Sequence, residues 1–123
     1  MDDLSSTSGD TARPHQHHGG EPQGPAPGEY GRFTHQMNTS MERMMADMHR
    51  DPPSGNADID FLVMMIPHHS GAVAMARLVL AAGSDPLTRA FAEQMIADQS
   101  GEIAGMRGRL AALQGTVSSR EAA

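Results

Sequence analysis

The residues best suited to chemistry in this chain are methionines and histidines. His68 and His69 adjoin within an apolar stretch that also carries Met64, Met65 and Met75. An imidazole withdrawn from water must find partners for both ring nitrogens or bind a cation through one. At helical spacing Met64 and Met65 lie one turn before the pair and Met75 two turns after His68, with Ala72 leaving room between. A second set precedes it, where Met41, Met45 and His49 fall on one helical line and Met44 and Met48 on the next. Thioether sulfur is a good ligand for Cu(I), and imidazole serves both copper oxidation states. A thioether has no proton to lose and forms no disulfide, so such a site survives acid and an oxidising compartment. The candidate metal ligands are therefore Met45, Met48, His49, Met65, His68, His69 and Met75, and the expected ion is copper, as Cu(I) or Cu(II). Gln99 and Glu102 are expected to hydrogen-bond a buried imidazole rather than to ligate.

Methionine also fills cores, and a methionine stripe at helical spacing is more often packing than a metal site. The stripe Met37, Met41, Met44 and Met48 alone reads as packing; its coincidence with a histidine pair favours metal. Composition narrows the choice. The 11 methionines stand against 3 Phe, 1 Tyr and no Trp, so thioethers replace the aromatic rings that usually anchor a small core. With no cysteine there can be neither a disulfide nor a zinc-thiolate site nor thiol catalysis. The net charge of −6 and the absence of lysine argue against nucleic acid and against an anionic membrane as partners.

The elements that must position these residues follow from spacing. Residues 1–29 are rich in Gly, Pro, Ser and acidic residues and read as a disordered tail, in which His15, His17 and His18 offer a loose site for a divalent ion. A helical domain over 30–114 follows, and residues 115–123 are expected to fray. The first helix, about 30–50, stops before Asp51-Pro52-Pro53. The second, about 58–82, has Asp58 as N-cap candidate, Gly83 at a left-handed C-terminal position, and Pro67 as a kink. It carries two seams. One is Phe61, Met65, His68, Ala72, Met75 and Val79; the other is Leu62, Ile66, His69, Val73, Ala76 and Leu80. Two seams imply burial on more than one side, with Phe61, Met65, Val79, Ile96 and Leu110 in the core. The third helix, about 86–113, starts with Pro86 at its first position, and Gly101, Gly105 and Gly108 suggest a close helix approach. Three helices of this length leave apolar surface uncovered, so self-association into a homo-oligomer is expected.

The segment from Asp58 to Leu110 resembles a bacterial family known as domain of unknown function 305. The resemblance rests on the pattern DxDFxxxMxxHHxxAxxMA, then IxxQxxEIxxM at Ile96, Gln99, Glu102, Ile103 and Met106. The stretch Met44 to His49 matches the methionine and histidine run that members often carry beforehand. It implies an all-α, ferritin-like helical bundle, commonly exported, and a periplasmic copper-binding role tied to copper resistance in some members. Many members carry the helix pair twice and this chain carries it once. The start MDDLSSTSGD is not a signal peptide, so a periplasmic or secreted location would need a leader already removed. A di-iron carboxylate enzyme would use Glu-x-x-His pairs, and none occurs, so no enzymatic activity is expected. The remaining rival to metal binding is a metal-free interaction module that docks a helix on its methionine-rich face.

Overall fold

The computed structural model describes residues 28–122, with side chains described through residue 116. The tail histidines His15, His17 and His18 lie outside the described residues. Three helices account for almost all of the described chain: α1 (Gly28–Met48), α2 (Ala57–Ala82) and α3 (Pro86–Ala122). The protein is all-α.

The caps differ in detail from the expectation. Asn56, not Asp58, caps α2: its Oδ1 accepts from the Asp58 N–H at 2.9 Å and the Ile59 N–H at 3.2 Å. Asp58 instead falls in the first turn, where a carboxylate complements the helix dipole. Gly55 supplies the positive φ of 88° that turns the chain into this cap. At the other end Gly83 is extended (φ −84°, ψ 153°) rather than left-handed, and its N–H still closes onto the Val79 carbonyl. The last turn of α2 has no basic residue of its own. Arg89 of α3 takes that part, donating from Nη1 to the carbonyls of Leu80 at 2.6 Å and Gly83 at 3.0 Å. Asp85 caps α3, accepting from the Thr88 N–H at 2.8 Å and the Thr88 hydroxyl at 2.7 Å. Those two bonds, the hydroxyl first, hold its carboxyl below the ordinary carboxylate value.

Pro67 lies within α2, which runs through it as a single helix. α3 continues to Ala122 rather than fraying after Leu113. No proline follows Leu113, and Gly115 costs only about 1 kcal/mol against alanine, too little to end a helix already propagating.

α2 packs against both neighbours, while α1 and α3 do not pack on each other among the described residues. Side-chain directions explain this. Gly71 is buried against α1, with the Met44 side chain lying directly over it. His69 reaches α3 through Glu102. Residues two apart on an α-helix are about 200° apart around its axis, so α1 and α3 flank α2 on nearly opposite sides. The molecule is a layer one helix thick.

The core is correspondingly thin. Ile59, Leu62, Ala76, Ala92 and Ile103 are buried, and among the described residues no side chain is wholly enclosed. The Leu62 seam of α2 faces α3, with Leu62 and Ala76 buried. The other seam is not closed: Phe61 is 54% exposed and Met65 and Val79 are only half-buried, as are Ile96 and Leu110 of α3, also expected in the core. Its stripe points out between the flanking helices, where no third element covers it. Gly101, Gly105 and Gly108 also depart from expectation, for each faces open space with nothing within 4 Å of a virtual Cβ. Among the described glycines, the close approach between two helices is at Gly71, whereas Gly83 lies against Val79 of its own helix end.

Candidate functional site: a methionine and histidine face

The layer has two faces of different character. One groove mixes charged side chains of the flanking helix ends, Asp47, Arg50 and Arg107, with the apolar Val63, Ile66 and Leu110. The other face holds the unburied seam of α2. Its middle runs Phe61, Met64, Met65, His68, Ala72, Met75 and Val79, with no Asp, Glu, Lys or Arg at any of these positions. Arg77 lies on the polar side with Ser70, two turns before it.

Met44 over Gly71 fixes the register of α1 along this face. In an antiparallel pair a step along one helix is a step back along the other, so Met41 stands level with Ala74 and Met75, and Met48 with Pro67 and His68. Met44 and Met48 are half-buried toward α2, whereas Met41 and Met45 are 43% and 48% exposed along the same edge. His49 follows the last residue of α1 and is exposed.

The two neighbouring histidines have different environments. His68 is exposed, and among the described residues it makes no hydrogen bond. His69 is half-buried and has both ring nitrogens engaged, Nδ1 with the Met65 carbonyl at 3.0 Å and Nε2 with Glu102 Oε2 at 2.7 Å. Bonding Nδ1 to the carbonyl fixes the ring so that Nε2 faces α3. The expected role of Glu102 as an imidazole partner is met in this contact; Gln99 is half-buried without a described hydrogen bond to either histidine. The rings lie 5.9 Å apart, tilted by 59°.

Of the seven candidate ligands, the face therefore gathers Met45, Met48, Met65, His68 and Met75. His69 sits at its border, held by Glu102, and His49 lies beyond the end of α1. Among the described residues no three of His, Asp and Glu come together as a metal-holding group. Two features escaped the sequence reading. Met95 and Phe91 of α3, 47% and 66% exposed, flank the same face. Arg89 holds the α2 end, a role invisible without knowing that α3 folds straight back.

Fold and face together define a small, single-layer α-helical domain with a methionine-rich surface. The chain belongs to the family described as Domain of unknown function (DUF305), whose profile matches residues 4–110. No curated protein matches it significantly.

Proposed function

We propose that this domain binds copper on its methionine and histidine face and serves metal buffering, storage or resistance outside the cytoplasm. The observation that carries the reading is the state of the thioethers. Methionines acting only as core filler would be buried, yet Met41, Met45, Met64 and Met95 stay between 39% and 48% exposed on one face, beside an imidazole without a hydrogen bond. Met65 and Met75 lie half-buried on the same side of α2. Soft donors in this number suit Cu(I), with His68 as the borderline donor that also admits Cu(II). The freely held His68 serves as the entering ligand, and His69 joins only by releasing Glu102. The Cys-free composition fits an oxidising location, where thiolate sites are lost.

Titrating the full chain anaerobically with Cu(I) against a chromophoric competitor tests this directly. The expected result is binding tighter than about micromolar, roughly −8 kcal/mol. Failure to bind either Cu(I) or Cu(II) at that level would leave the metal-free interaction module as the better reading.

A further inference from the structure

The same face raises a question that metal binding does not answer. A domain ordinarily closes its core between two packed layers, and a single layer of helices leaves one apolar side in water. Here that side includes the rings of Tyr30, Phe61 and Phe91, which are 67%, 54% and 66% exposed. Along with these lie the half-exposed thioethers Met41, Met45, Met64 and Met95. At about 200 Å² for each large side chain, the exposed fractions of these seven amount to roughly 700 Å². That exceeds the roughly 300–600 Å² typical of the largest apolar patch on a monomer, and it approaches the roughly 800 Å² that each partner contributes to a standard interface.

We infer that a second copy of this chain covers the face, the two layers meeting front to front about a two-fold axis. Three observations select this occupant. The area matches what a stable dimer needs. The centre of the face on α2 lacks formal charges, as the centre of an interface does, and the carboxylate at its α3 edge, Glu102, is already partnered by His69. The thin core, with no side chain wholly enclosed among the described residues, is what remains when half of a two-layer core is missing. The polar side, with Asp47, Arg50 and Arg107 in its groove, stays in water. If the face also takes up copper as proposed above, the ion draws its donors from two chains.

Sedimentation of the full chain, with a chelator present to remove the influence of metal, tests the inference separately from copper binding. From sub-micromolar to high micromolar concentration the mass should rise from 13.1 kDa toward twice that value. Phe61→Asp combined with Met64→Asp, at exposed positions that leave the helix intact by far-UV circular dichroism, should weaken the dimer at least about tenfold. Arg77→Glu, on the polar side, should leave it unchanged. Met41→Leu with Met45→Leu keeps the apolar area and should preserve the dimer while removing sulfur. A monomer at every concentration overturns the inference, as does a dimer indifferent to the Phe61 and Met64 changes. A monomer that binds phosphatidylcholine vesicles through this face would also overturn it, giving the face to a lipid surface. α2 is long and apolar enough, by length and composition, for that outcome to be measured alongside.

Discussion

Replacing Gly71 by alanine probes the contact that sets α1 against α2. A Cβ at this position would stand 2.5 Å from Met44 Sδ, 2.7 Å from its Cγ and 2.9 Å from its Cβ. Comfortable carbon contacts lie near 3.5–4.0 Å, so the neighbour must retreat by close to an ångström. Sulfur and Cγ can swing aside by changing rotamer. Met44 Cβ cannot, because it is fixed to the α1 backbone, and the helix itself has to move. Overpacking of this kind costs about 1–3 kcal/mol. Against it, alanine in a helix interior gains about 1 kcal/mol over glycine. The net expectation is a loss of about 1 kcal/mol, or a urea midpoint lower by about 1 M for a domain this small. Far-UV circular dichroism reads the transition, since the chain has no tryptophan. Met44→Ala removes Sδ and Cγ and leaves only the Cβ in the way, so Gly71→Ala should cost less in that background, with a coupling of at least about 0.5 kcal/mol. A Gly71→Ala midpoint raised by the helix-propensity gain alone would show that α1 does not approach α2 here, and the register of the whole methionine face would fall with it.

Three further outcomes follow from the site and the caps. His68→Ala should weaken copper binding at least about tenfold more than His69→Ala, because the second imidazole is held by Glu102 and the first is free; equal losses in a competitor titration would contradict the division of roles. Met65→Leu with Met75→Leu should weaken Cu(I) more than Cu(II) while costing less than about 1.5 kcal/mol of stability per site; Cu(I) binding equal to the parent would make these residues packing alone. Asp85 contributes to stability at neutral pH through a carboxylate held below its ordinary range by Thr88. A depressed carboxylate stabilises the fold above its unfolded pKa of about 3.9 and loses that contribution as pH falls through the lower folded value. Asp85→Asn keeps a capping oxygen, so the variant should stay folded at neutral pH with a shallower loss of stability below about pH 4. An unchanged acid limb would mean that the cap is not linked to protonation.

Much of this architecture was legible in the sequence because helices announce themselves through period and punctuation. Asp51-Pro52-Pro53 bounds α1, and Asp85-Pro86 opens α3. The partition of the two α2 seams was not legible. Periodicity marks Phe61 and Leu62 alike as apolar and cannot say which has a neighbour; only the placement of α1 and α3 on nearly opposite sides leaves Phe61 outside. The glycines mislead for a related reason. Gly101, Gly105 and Gly108 have the spacing of a packing ridge yet face open space, while the lone Gly71, embedded among apolar residues, is the one a neighbour sits upon. At the site, the pairing of Glu102 with an imidazole could be anticipated from one-turn logic, but which of two adjacent histidines it would hold depends on their angular difference across the interface.

With α2 shared by two neighbours that ignore each other, the domain resembles two helical hairpins fused through a common helix. Opening of α1 breaks only its contacts with α2 and leaves the α2–α3 hairpin whole, with Arg89 and Glu102 still in place. Cooperative units of this kind exchange amide hydrogens at separate free energies. Amides of α1 should therefore exchange ahead of those in α2, through a partly open species in which the α2 methionines are exposed while their scaffold persists. Contacts within each hairpin are short in sequence, which favours rapid reclosure. If the face binds copper as proposed, loading and release can then proceed through the local excursion of one helix, without the protein ever visiting its unfolded state.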